Sequence, residues 1–386
     1  MTHYPDLPLP IGLRSRHITD VNGLSMHVLE AGFDAVTPRP CLLLLHGFPE
    51  LAFSWRKIML PLALAGYYVI APDQRGYGRT TGWRAHPDRD ASASHMLALV
   101  GDMLALLAAL GQSKVEAVIG HDFGSPVAAW CALTRPDIFG SVVLMSAPFA
   151  GPPAWPVGAL AERQVAPDGF ALLEQAVAGL ASLTPPRQHY QWFYSGNRAN
   201  DDMLHCPQGL HDFLRAYYHV KSADWQPNRP YPLGTMTTAA LAALPRYYVM
   251  DAHKGMAETV APEMPGQDVV AACQWLTEAD LAVYSAEYAR TGFQGGLDWY
   301  RCGTDRRHVE SLRLLGGKTI DVPSCFIAGR SDWGVFQMPG AFEKMQDSVC
   351  TQMLGCHLID GAGHWVQQEQ PAAVLQHLLT FLKRNK

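Results

Sequence analysis

Residues 118–126 read VIGHDFGSP: an apolar run, then Gly120-x-Asp122-x-Gly124, then a helical pattern. A sharp strand-to-helix turn framed by small residues is where many hydrolases mount a nucleophilic serine. Here the central position holds a carboxylate, Asp122. A carboxylate attacking an ester or amide would make an anhydride and gain little. Attack on a saturated, electrophilic carbon instead forms an alkyl ester on Asp122, which water must then cleave. Two further residues fit that second step. Asp332 follows PSCFIAGR by a short turn, and His364 follows CHLIDGAG, so the chain order is nucleophile, acid, histidine. His364 is expected to activate the water, with Asp332 orienting it and supporting its charge. The oxyanion on Asp122 needs N–H donors. The candidates are the backbone amides of Phe123, next to it, and of Phe48, in the turn HGFP.

Each residue also has a plainer reading. A lone Asp before a helix is usually an N-cap. The Gly120/Gly124 frame, which permits strained backbone, favours the nucleophile. Asp332 alone would be a solvated loop residue and His364 alone a core histidine; together with Asp122 they form a catalytic set. His46 and His121 read as supports of their turns. His189, His205, His211, His219 and His253 lack metal-ligand spacing, and neither a metal nor another cofactor is expected.

These residues need elements to hold them. Short apolar runs at 41–47, 67–73, 114–120 and 141–148 read as buried strands, with helical patterns at about 54–65, 92–110 and 125–134 between them. The alternation resumes at 322–330 and 356–364 and closes with a helix over 371–383. That order predicts an α/β fold: a mostly parallel sheet with helices on both faces and functional groups at the strand C-termini. The intervening stretch is rich in Pro, Trp and Tyr, with helical segments such as 275–290 and no convincing buried strand; 151–156 and 226–232 read as loops. The expected organisation is a core over 1–148 and 314–386, interrupted by a helical cap over 149–313.

The 386-residue chain is 48% hydrophobic and 17% charged, the composition of a globular enzyme. A net charge of −5 with no basic block argues against nucleic acid or an anionic membrane as partner. Eight scattered cysteines without a C-x-x-C pair point to a reducing compartment, hence the cytoplasm. The start of the sequence has no signal-peptide pattern, and the apolar stretch 96–111 contains Asp102 and is too short to span a bilayer.

The motifs HGFPELAFSWR (46–56), DQRGYGRTTG (73–82), GHDFG (120–124) and GAGHWVQQEQP (361–371) resemble those of the epoxide hydrolases of the α/β-hydrolase superfamily. HYQWFY (189–194) and TGFQGGLDWYR (291–301) extend the resemblance into the cap, so that it covers nearly the whole chain. It implies an α/β-hydrolase fold with an inserted helical cap and the hydrolysis of epoxides to vicinal diols. It further implies a pair of cap tyrosines, Tyr190 and Tyr300, that bond the epoxide oxygen. A phenol with a pKa near about 10 can donate to the developing alkoxide at neutral pH. The expected partners are a small hydrophobic epoxide and water, with a homodimer as one option. Two features depart from the family pattern. Phe123 stands where Trp is frequent, and an extra stretch around 222–275 could reshape the tunnel, cover it or form a subunit interface. The core motifs are shared with dehalogenases, so haloalkane or haloacid dehalogenation by the same residues is the rival, with Trp192 and Trp299 as halide donors. A catalytically inactive ligand-binding module is the remoter alternative.

Overall fold

The computed structural model describes residues 4–33, 38–83, 91–154 and 169–384. Its strands, in chain order, are β1 (Leu13–Val21), β2 (Leu24–Ala31), β3 (Cys41–Leu45), β4 (Tyr68–Pro72), β5 (Ala117–His121) and β6 (Val142–Met145). They are followed by β7 (Arg187–His189), β8 (Val249–Asp251), β9 (Ser324–Gly329) and β10 (Met353–Ile359). Eight of them make one sheet in the order β1-β2-β4-β3-β5-β6-β9-β10. From β4 to β10 every pairing is parallel, whereas β1–β2 and β2–β4 are antiparallel. β3, β5, β6 and β9 are buried along their whole length, which is why they read as continuous apolar runs.

All six predicted strands correspond to strands of this sheet, with shifted ends. The predicted helices appear as Arg56–Leu64, Met96–Ala109, Gly124–Thr134 and Pro371–Arg384. Asp102, in the middle of an apolar helix, is buried and held by Arg75 at 2.6 Å and by Asn22 at 2.7 Å. A buried charge is tolerated when so paired.

Two expectations need correction. The hairpin β1–β2 has no counterpart in the sequence reading, although Asn22 and Gly23 both take positive φ, the mark of a two-residue hairpin turn. The cap does contain strands: β7 and β8 pair antiparallel. At three residues each they are too short to leave a period in the sequence. Its other elements among the described residues are helices, including Tyr190–Ser195, Leu210–Lys221, Glu278–Thr291 and Gln294–Thr304. Residues 226–232 carry no helix or strand; the predicted loop at 151–156 lies partly outside the described residues. Among the described residues no helix is long and apolar enough to cross a membrane.

Candidate active site

Asp122 stands at the C-terminal end of β5 with φ +51°, the left-handed region that costs a non-glycine residue. A Cβ on Gly120 would lie 2.0 Å from the Gly124 carbonyl oxygen, and one on Gly124 would lie 2.2 Å from that of Leu45. Strand, turn and helix can pass this closely only with glycine at both places. The following helix has Phe123 as its N-cap and no side-chain cap. The Asp122 carboxylate turns away from it, and its Oδ1 accepts from the Phe48 amide at 2.8 Å. That geometry removes the N-cap reading. The Phe123 amide makes no bond to the carboxylate here; its ring sits edge-on to Trp299 and Tyr300, with centroids 5.2 and 5.1 Å away.

His364 and Asp332 come to the same place from the ends of β10 and β9. His364 Nε2 lies 3.2 Å from Asp122 Oδ2, off the line of a good hydrogen bond, and Nδ1 lies 3.1 Å from Asp332 Oδ1. Asp332 is 1% exposed, so it is no solvated loop residue. Its carboxylate also accepts from the Gly334 amide at 2.7 Å. Ser146 joins this pair unforeseen. Its Oγ donates to Asp332 Oδ2 at 2.5 Å and lies 2.8 Å from His364 Nδ1. Like Asp122 it takes a positive φ, +67°, at the end of its strand.

The electrostatics follow from burial and opposite charge. Burial opposes ionisation of Asp122, but His364, then Lys221 and His121, outweigh it and hold its carboxyl well below the usual range. Asp332 is lowered in the same way, burial being outweighed by His364, Ser146 and Gly334. For His364, burial favours the neutral ring, yet the two carboxylates win and push it up to about 9.

The cap brings Tyr190 and Tyr300 over this group. Their ring centroids are 5.9 Å apart, and Tyr300 packs edge-on to Phe48 at 5.5 Å. Tyr190 Oη donates to Gln337 Oε1 at 3.1 Å, whereas Tyr300 Oη has no hydrogen bond among the described residues. Burial, then the Asp122 charge, pushes both phenols well above their ordinary value, so both remain protonated donors. The cap stretch around 222–275 braces one of them. Tyr190 N donates to Tyr248 O at 2.8 Å, the Tyr248 ring packs on the Tyr190 ring, and β8 pairs with β7 just before it.

The supports are buried polar groups. His46 Nε2 accepts from the Gln74 amide at 3.1 Å. His121 is bonded to Glu50 at 2.5 Å and to the His364 carbonyl at 2.7 Å. Glu50 also accepts from Gln367 and Gln368. Glu369 accepts from the amides of Gly363 and Trp365, which flank His364, and from that of Ala223 in the cap, each within 2.9 Å. None of Glu50, Ser146, Lys221 and Glu369 stood out in the sequence, because single polar residues carry no period. Among the described residues no group of three or more His, Cys, Asp or Glu is arranged to hold a metal ion.

A parallel sheet with a strained carboxylate turn after β5 and a His–Asp pair after β10 and β9 defines a hydrolase of the α/β type. The sequence model of the alpha/beta hydrolase fold matches residues 40–371. The chain is 32% identical over 375 residues to epoxide hydrolase A of Mycobacterium tuberculosis, covering 96% of this chain and 98% of that one. It is 33% identical over 360 residues to epoxide hydrolase B of the same organism, covering 89% and 91%. Among solved structures, an epoxide hydrolase from an endophytic Streptomyces superposes with a TM-score of 0.75 at 31% identity, covering 98% of each chain. The chain therefore belongs to the epoxide hydrolases of the α/β-hydrolase family.

Proposed function

We propose that this enzyme converts small hydrophobic epoxides to vicinal diols in two steps through an ester on Asp122. Asp122 Oδ2 attacks a ring carbon and the carbon–oxygen bond of the epoxide breaks. The leaving oxygen takes a proton from one of the two phenols, Tyr190 and Tyr300. The Asp122 charge is now gone, so the proton on His364 is less firmly held and passes to the tyrosinate. Neutral His364, oriented by Asp332, then takes a proton from water as its oxygen attacks the Asp122 carbonyl carbon. The Phe48 amide, joined by that of Phe123, stabilises the oxyanion. Collapse expels the diol oxygen, which regains a proton from His364, and the proton of the Asp122 acid returns to His364.

One observation carries this reading: two cap phenols, Tyr190 and Tyr300, pack with ring centroids 5.9 Å apart, and the Tyr300 ring lies against Phe48 and Phe123, the two residues whose amides flank the Asp122 carboxylate. Dehalogenation finds less support. Trp299 Nε1 donates to the Arg75 carbonyl at 3.0 Å and is not available to a halide. The cap boundaries we propose remain 149 and 313. The eight cysteines are all free, which agrees with the cytoplasm as location.

The test is a single turnover of a styrene-type epoxide in ¹⁸O-water, followed by mass spectrometry of the Asp122 peptide and the diol. Label in Asp122 with unlabelled diol is the expected result. Label in the first-turnover diol and none in Asp122 would mean direct attack by water and end the two-step reading.

A further inference from the structure

Lys221 ends the helix Leu210–Lys221 and is only 3% exposed. Its ammonium forms no ion pair or hydrogen bond among the described residues. Five aromatic rings surround it instead: Tyr248 at 5.0 Å, Tyr217 at 5.1 Å, Tyr190 at 5.8 Å, Trp365 at 5.9 Å and Tyr247 at 6.0 Å from Nζ to centroid. Ring faces attract a cation but do not neutralise it. A bare positive charge therefore sits between a tyrosine proposed to hold the epoxide and the residue after His364. The same residue grips the histidine turn directly, since its carbonyl accepts from the His364 amide at 2.8 Å.

We propose that Lys221 is a positioning residue for ester cleavage: its caged ammonium favours the neutral form of His364 once Asp122 has been esterified. This rests on the two-step reading above. In the resting site His364 faces Asp122 across the turn, Asp332 and the neutral Ser146 behind it, and Lys221 from the cap. His121 lies against its ring at 5.2 Å, tied to Glu50, and Glu369 holds the flanking amides. Burial and Lys221 act against the proton on His364, while Asp332 and Asp122 retain it. Esterification removes Asp122 from that balance. Lys221 then opposes Asp332 and leaves a ring that can accept a proton from water, the state a general base requires. A lysine exposed to solvent would be strongly screened; this one is 3% exposed and has five rings around it, so water and salt screen its charge less.

The experiment measures ester cleavage against pH in single turnovers, with the ester on the Asp122 peptide followed by mass spectrometry of quenched samples. Lys221→Met keeps most of the stem and removes the charge; Lys221→Arg keeps the charge. The cleavage rate of the Met variant should rise with pH about a midpoint roughly one unit above that of the unaltered enzyme. Below both midpoints this is a loss of about tenfold that vanishes at high pH. The Arg variant should retain the original midpoint. A Met variant with an unchanged or lowered midpoint would overturn the proposal, even if it were less stable. Should Lys221→Met not fold, Lys221→Gln is the neutral replacement, and the same shift decides. An unaltered enzyme that turns over epoxide without forming any ester on Asp122 would instead overturn the two-step reading.

Discussion

At the scale of single residues, the three side chains that meet in the proposed site were legible because each sits at a strand end beside a turn signal. Asp122 lies between two glycines, Asp332 after a β9 that ends in Gly329, and His364 after Gly361-Ala362-Gly363. Ser146 was not legible, since a serine after a strand is common and only the fold brings it to His364 Nδ1. Its contacts to both Asp332 and His364 predict that Ser146→Ala slows ester cleavage about tenfold, the worth of one hydrogen bond to a charged network. The alkylation rate should stay near its original value, and stopped-flow fluorescence resolves the two steps. An unchanged cleavage rate would reduce Ser146 to packing. The raised value of His364 gives a second prediction. A group held up to about 9 in the folded state, against about 6.5 unfolded, binds its proton more tightly when folded. Its contribution is complete below about pH 6.5, declines as pH rises, and is gone above about pH 9. Urea midpoints of the intact enzyme should fall across that window, and those of Asp332→Asn should fall less.

Among elements, the fully buried parallel strands were the easiest to read and the short or exposed ones the hardest. β3 is CLLLL and cannot be anything but buried, whereas β1 alternates weakly, with five of its nine residues exposed. The Asn22-Gly23 pair was the one local sign of the hairpin that ends at β2. The turn carrying His364 is another element that no local pattern announces. It is held by Glu369, whose burial raises its carboxyl to about 7 against three amide bonds that favour the charge. Glu369→Gln removes one acceptor oxygen and puts an N–H₂ against amide donors. That should cost about 1–3 kcal/mol, the cost of leaving a buried donor unpaired. Chemical unfolding gives the stability, and epoxide turnover should drop with it because Gly363, Trp365 and Ala223 are all released. A variant with full stability and full turnover would show that the loop is fixed by Lys221 and Trp365 alone.

Across the whole molecule, the cap is tied to the core by the contacts of an interior. Arg79 pairs with Glu287 at 2.7 Å, Arg56 with Asp280 at 3.0 Å, and Ser54 bonds Tyr284 at 2.8 Å. Tyr218 Oη donates to Pro49 O and Trp365 Nε1 to Tyr218 O. Two glycines set the distance between the layers. A Cβ on Gly295 would lie 2.1 Å from Gly76 O, so the helix Gln294–Thr304, which carries Trp299 and Tyr300, rests directly on a core turn. None of this could be read from sequence, because it joins segments between 147 and 230 residues apart. It predicts that the cap does not open as a separate body: fluorescence and epoxide turnover should be lost at one urea concentration, as in a single cooperative unit. Gly295→Ala should separate them. The added methyl must lift the helix or bend the turn, moving Tyr300 away from Asp122, so turnover should fall at least about tenfold in water. The loss of fold should remain a later event, seen at higher urea. If the intact enzyme instead lost activity well before its fluorescence changed, the cap would be a mobile lid, and the buried pairs that join it to the core would have to break and re-form in each catalytic cycle.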